Sequence, residues 1–122
     1  MNCLSFNCKG LASSNKKLDL KRLCRSERKD VLFLQETLGD EVFINNVLLK
    51  ILSDWYFHFM DVGGRSRGCA LGFNKKSIRV VNIWGGEGFL GANLVSPDIN
   101  LPLKIINIYG PFHNKEVYWA RL

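Results

Sequence analysis

The stretch that most constrains this chain is Val31-Leu32-Phe33-Leu34-Gln35-Glu36-Thr37, an apolar run that stops on a carboxylate. Four consecutive apolar residues, two of them β-favouring, predict a strand buried on both faces, and such strands belong to sheets covered by helices. Glu36 then stands at a strand end. The carboxyl ends of strands in α/β folds form the crevice where ligands bind, so Glu36 is either placed for chemistry there or is simply the solvated end of a strand.

The preceding residues supply the context. Cys3-Leu4-Ser5-Phe6 has strand character and ends at Asn7, with turn residues around Lys9-Gly10 and Ser13-Ser14-Asn15. From Asn15, residues Leu18, Leu20, Leu23 and Cys24 follow a helical period, with Ser14 or Asn15 as an N-cap. Strand, helix, strand implies a parallel pair, which brings Asn7 and Glu36 to one sheet edge. An amide oxygen and a carboxylate there suit Mg²⁺, which takes one or two carboxylates and completes its shell with water and phosphate; Asn7 as an ordinary turn residue is the alternative.

Further on, Asp40 to Leu52 resumes helical spacing, with Val42, Phe43, Val47, Leu48 and Ile51 apolar and Asp40 able to cap the first turn. Trp55 to Met60 is an aromatic strand, in which His58 reads as a packing or edge residue. Gly63-Gly64-Arg65-Ser66-Arg67-Gly68 then offers either a hairpin loop or a phosphate contact made by backbone amides with the guanidiniums of Arg65 and Arg67. It is not a Walker motif, because GxxxxGK[ST] is absent and a strand follows it. Cys69–Phe73 and Ile78–Ile83 read as two strands joined by a hairpin turn at 74–77, and Phe89–Val95 and Leu103–Tyr109 as two more. A β-α-β start followed by an antiparallel run predicts an α/β fold with a mixed sheet flanked by helices. Tyr109 closes an apolar strand as Asn7 and Glu36 do, and its hydroxyl can donate to a phosphate or cap the sheet edge. His113 reads as loop surface. From Asn114 the pattern turns helical and runs to Leu122, which predicts an incomplete domain.

Composition narrows the partners. Seventeen Lys and Arg against eleven Asp and Glu give a formal charge of +6 over 122 residues, which favours polyanions such as nucleic acid. Basic residues gather between Lys16 and Lys29, and again from Arg65 to Arg79, where solvated surface is the simpler account. Four scattered cysteines lack metal-site spacing and fit reduced, mostly buried thiols. No apolar run is long enough to span a bilayer and no signal-peptide pattern opens the chain, so an intracellular protein of nucleus or cytoplasm is expected, without a membrane role.

Taken in order, Leu4-Ser5-Phe6-Asn7-Cys8-Lys9-Gly10-Leu11, Val31 to Thr37, Gly64-Arg65-Ser66 before Gly68, and Ile106-Asn107-Ile108-Tyr109-Gly110-Pro111 with Trp119 beyond resemble the endonuclease/exonuclease/phosphatase family. The nearest variant is similar to the apurinic-type endonuclease domain of plant non-LTR (LINE-type) retrotransposons. The resemblance spans the whole chain. It implies a deoxyribonuclease-I-like α/β sandwich of two packed sheets, cleavage of phosphoesters with Mg²⁺ (Mn²⁺ as substitute), DNA as partner, and no small-molecule cofactor. It further implies that Glu36 is the metal-binding carboxylate, Asn7 a metal-site ligand or orienting amide, and Tyr109 the contact to the scissile phosphate.

The chain departs from the family pattern in one respect. The Gly-Asp-Phe-Asn-like segment that orients the nucleophile and the final Ser-Asp-His segment that carries the general base do not occur in this sequence. Neither His58 nor His113 has the base's context. Residues 1–122 are therefore expected to be the N-terminal portion of one such domain, truncated at the C-terminus and inactive alone, with an uncovered sheet face open to association. The alternative is a non-catalytic α/β module that binds nucleic acid or a protein through its basic face.

Overall fold

A computed structural model describes residues 1–8, 14–37, 40–62, 65–86 and 88–108. The elements are β1 (Cys3–Asn7), α1 (Ser14–Ser26), β2 (Val31–Gln35), α2 (Glu41–Ile51), β3 (Trp55–Val62), β4 (Arg65–Asn74), β5 (Arg79–Gly86), β6 (Phe89–Ser96) and β7 (Ile99–Ile108). The α/β class is as the sequence predicts.

The first sheet has the order β1-β2-β4-β3. β1 and β2 run parallel, from Cys3 opposite Val31 to Asn7 opposite Gln35, and both remaining pairs are antiparallel, which makes this sheet mixed. The expected burial of β2 on both faces holds because its side chains alternate between two cores. Leu32 and Leu34 face the helices, packing with Leu20, Ile44, Leu48, Trp55 and Phe57. Val31 and Phe33 face the other way, against a second sheet, in a core with Cys69, Leu71, Phe73, Leu90, Ala92 and Leu94. The helices and the second sheet thus cover the first sheet from opposite sides.

Each helix buries a narrower stripe than its apolar content suggests. In α1, Leu20 is fully buried and Cys24 packs beside it one turn on, whereas Leu18 and Leu23 are exposed. Leu18 lies about 200° around the helix from Leu20 at 3.6 residues per turn, so a single sheet cannot take both. In α2 the buried set is Ile44, Val47 and Leu48, while Val42 and Phe43 in the first turn stay exposed. The expected cap is present: Asp40 Oδ1 accepts from the amides of Val42 at 2.8 Å and Phe43 at 3.3 Å.

Residues 74–77 do not form the expected hairpin turn. β4 already has β2 on one edge and β3 on the other, so no free edge remains for β5. The chain crosses instead to a second, antiparallel sheet of order β5-β6-β7. Part of the segment read as a loop at 63–68 is strand, since β4 begins at Arg65, which pairs with Val62. Among the described residues no helix is long and apolar enough to cross a membrane.

Candidate metal and phosphate site

β1 and β2 end together. Asn7 pairs with Gln35, so Glu36, the next residue, emerges at the same sheet edge as Asn7. This is the juxtaposition expected from the parallel crossover. Asn7 is exposed and Glu36 half-buried.

Glu36 has φ of 53°, the only positive φ at a non-glycine position among the described residues. In that left-handed region Cβ crowds the following carbonyl, at a cost of roughly 1–2 kcal/mol. The surroundings hold it on both sides. The amide of Cys8, just past β1, donates to the Gln35 carbonyl at 2.9 Å, and the amide of Thr37 donates to the Gly68 carbonyl of β4 at 3.1 Å. Gln35 is held a second time through its side chain, whose Nε2 donates to Asn107 Oδ1 at 2.8 Å.

Asn107 comes from β7 in the second sheet and is only 3% exposed. Its Nδ2 donates to the carbonyls of Leu34 at 3.2 Å and Ala70 at 3.0 Å, joining the end of β2 and the middle of β4 across the gap between sheets. Buried amides need such partners, and here every polar atom of the Asn107 side chain has one. Sequence reasoning carried Asn107 only as part of a motif. The available signal was a polar residue in the middle of Ile105-Ile106-Asn107-Ile108, an otherwise apolar strand.

Charge also gathers here. Burial pushes the Cys8 thiol up to about 12, with the Lys16 ammonium pulling it down and the Glu36 carboxylate pushing it up. Lys16 also lies 5.7 Å from the centroid of the Phe6 ring. Among the described residues no three His, Cys, Asp or Glu side chains gather around a common point. The donor set at the strand ends is therefore one carboxylate with one amide oxygen, both hard oxygen ligands. That set fits a Mg²⁺ that keeps several waters and shares a phosphate, and it does not fit zinc, which favours nitrogen and sulfur.

Of the other residues singled out from sequence, Arg65 and Arg67 lie on the backbone of β4, with Arg67 directly before the Gly68 carbonyl that holds Thr37. Tyr109 and His113 lie outside the described residues. His58 pairs with Leu71 in the middle of the β3–β4 ladder, and Tyr56 Oη lies 3.4 Å from its Nδ1, so it is a sheet residue away from the strand-end site.

The fold has clear relatives among solved structures. A humanized D. rerio TDP2 matches with a TM-score of 0.71 at 16% identity, over 94% of this chain and 52% of that one. ANGEL2, described as a 2′,3′-cyclic phosphatase, matches with a TM-score of 0.66 at 18% identity, over 84% of this chain and 33% of that one. An endonuclease/exonuclease/phosphatase from Bacteroides vulgatus matches with a TM-score of 0.60 at 13% identity, over 86% and 49% respectively. The chain thus spans about half the length of the D. rerio structure, 52%. No curated protein matches by sequence. The model of one sequence family covers residues 2–114, almost all of the chain, and on that match the chain belongs to the Endonuclease/Exonuclease/phosphatase family.

Proposed function

We propose that this chain forms the N-terminal portion of a divalent-cation-dependent phosphodiesterase domain acting on DNA. In this reading Glu36 is the metal-binding carboxylate, Asn7 a second oxygen donor or orienting amide, and Tyr109, Arg65 and Arg67 contacts to phosphate. The observation that carries it is Glu36 itself, a left-handed carboxylate held from both sides at the carboxyl end of β2, beside Asn7. Strain of this kind survives only where the surroundings over-determine it, and it collects at functional sites. Its position at the strand ends is where α/β folds bind ligands.

Mg²⁺, or Mn²⁺ in its place, would supply Lewis-acid polarisation of a phosphoryl oxygen and stabilise the leaving oxygen. Glu36 contributes negative charge and Asn7 a neutral oxygen, so the pair neutralises only part of a divalent ion and leaves room for an anionic phosphate. Nucleic acid as substrate is supported by the formal charge of +6 and by the D. rerio TDP2 structure in complex with a single-strand DNA product. The motif set from Asn7-Cys8-Lys9-Gly10 through Gln35-Glu36-Thr37 to Asn107-Ile108-Tyr109-Gly110-Pro111 supports descent from the endonuclease of plant non-LTR retrotransposons. Four free thiols favour a reducing compartment, nucleus or cytoplasm.

The chain alone is inactive in this reading. It contains neither the Asp and Asn segment that orients the nucleophile nor the Asp-His general base, and loss of the base alone costs about 10²–10⁴-fold in rate. Supercoiled plasmid incubated with the pure protein and Mg²⁺ should remain intact. Metal-dependent nicking that disappears in Glu36→Ala would overturn the inactivity and support the site.

One observation favours a second reading, a module that docks a partner. On the face of the second sheet away from the core, Ile106 and Ile108 are 40% and 39% exposed and lie in register with Gly91 and Phe89. A sheet face of this kind suits a covering partner or the remainder of the domain. DNA binding whose affinity falls steeply with salt, by a monomeric and cooperatively folded chain, would favour binding over catalysis.

A further inference from the structure

We infer that Gln35 and Asn107 form a positioning device, an amide bridge between the two sheets that holds Glu36 in its left-handed conformation. The inference rests on the reading of Glu36 as a metal ligand only for its consequence, not for its geometry. Asn107 spends both of its N–H donors on the Leu34 and Ala70 carbonyls, which can only accept. Its remaining atom, Oδ1, must therefore receive a donor, and Gln35 Nε2 provides it at 2.8 Å. That fixes the orientation of the Gln35 amide, whose Oε1 accepts from the Ser5 hydroxyl at 3.4 Å. Neither amide can rotate without leaving a polar group unsatisfied, and for the buried Asn107 that is costly.

The bridge is joined to Glu36 by one peptide bond. With the Gln35 side chain fixed by Asn107 and its carbonyl fixed by Cys8, the residue before Glu36 has little freedom. Thr37, held by Gly68, closes the other side. A left-handed non-glycine residue relaxes when either neighbour is released. The backbone from which the Glu36 side chain projects is thus tied to a residue of the second sheet, 72 positions further along the chain from Gln35.

The test uses the intact chain with Gln35→Met, which keeps the length of the side chain and removes the amide, alongside Asn107→Ala and Glu36→Gln. Two readouts are taken. The nuclear Overhauser effect between the amide proton and α-proton of Glu36, with its Cα shift, reports the left-handed backbone. Titration with Mn²⁺ alone, followed by the electron paramagnetic resonance of the free ion, reports affinity. Gln35→Met should unfold cooperatively like the parent, lose the left-handed signature at Glu36 and bind Mn²⁺ about tenfold more weakly, as loss of groups that orient a ligand does. An unchanged signature and affinity in Gln35→Met would overturn the positioning role, and so would loss of cooperative unfolding, which would assign the bridge to the fold as a whole. Should Glu36→Gln bind Mn²⁺ as the parent does, the metal reading fails, while the backbone signature in Gln35→Met still decides the positioning role. If Asn107→Ala does not fold, Gln35→Met carries the test alone.

Discussion

The hydroxyl of Ser77 donates to Asp30 Oδ1 at 2.5 Å, tying the start of β2 to the turn that carries the chain from one sheet to the other. Asp30 is 2% exposed and collects four further contacts: the amide of Asn2 reaches Oδ2 at 2.8 Å, Arg28 pairs with Oδ1 at 3.4 Å, the Asp30 amide donates to the Asn2 carbonyl at 2.8 Å, and the Asp30 carbonyl accepts from the Asn74 amide at 3.0 Å. Arg28 also reaches Asp98, between β6 and β7, at 3.6 Å. This node stands at the end of the sheet opposite Glu36.

Asp30 should make the fold acid-sensitive. Burial raises its carboxyl, but the Ser77 hydroxyl, the Asn2 amide and the Arg28 charge together outweigh that and hold it below the usual 3.8. A folded value below the unfolded one contributes stability that is full above the unfolded value and lost as pH falls through the folded one. The melting temperature should therefore drop below about pH 4, and Asp30→Asn should be less stable at neutral pH with a flatter acid limb. Thermal denaturation monitored by circular dichroism between neutral pH and the acid limit measures both.

Glycine at position 36 should be better tolerated than alanine. At a φ of 53°, Glu36→Ala keeps the crowding of Cβ while Glu36→Gly removes it. Urea denaturation should find Glu36→Gly more stable than Glu36→Ala by roughly 0.5–1 kcal/mol, less than the full strain because glycine also loosens the unfolded chain. Equal stability of the two variants would remove the backbone strain from the account of this site.

Burial, more than hydrophobicity, should rank the α2 substitutions. Leu48 is fully buried while Phe43 is 52% exposed. Leu48→Ala should cost about 2–5 kcal/mol in urea denaturation, and Phe43→Ser no more than about 0.5 kcal/mol.

The four thiols should react in order of exposure. Cys3 is exposed, Cys24 intermediate, and Cys8 and Cys69 are buried. Burial also pushes the pKa of the Cys8 thiol up to about 12 and those of Cys24 and Cys69 up to about 11, leaving little thiolate at pH 8. Cys3 is raised too, for the same first reason, but it is the accessible one. A disulfide reagent at pH 8 should therefore modify Cys3 first, with Cys8 and Cys69 released only by denaturant.

Local signals made much of this legible from sequence. The run Val31–Leu34 and the crossover helix were enough to place Asn7 and Glu36 on one edge, because period and connection handedness act over short distances. Asp40 as a cap follows from the chemistry of a single residue. The division into two sheets followed only from the family resemblance and not from local pattern, since it depends on whether β4 still has a free edge, and that is decided by β2, β3 and β4 together. Likewise the exposure of Leu18 and Val42 depends on how far the sheet reaches beneath each helix. The bridging role of Asn107 was not legible for the same reason: its partners at Leu34 and Ala70 are 73 and 37 residues away. Local pattern carries no information about contacts at such separations.

The crossing at 74–77 has a consequence for synthesis. The first sheet is made from residues up to Asn74 and the second from Arg79 onward, so an emerging chain can complete the first before the second exists. Gln35 leaves the ribosome 72 residues ahead of Asn107. At about 5–20 residues per second, that is an interval of about 4 to 14 seconds. During it the Gln35 amide has no Asn107 to meet, and the backbone at Glu36 lacks the support that the last described strand brings.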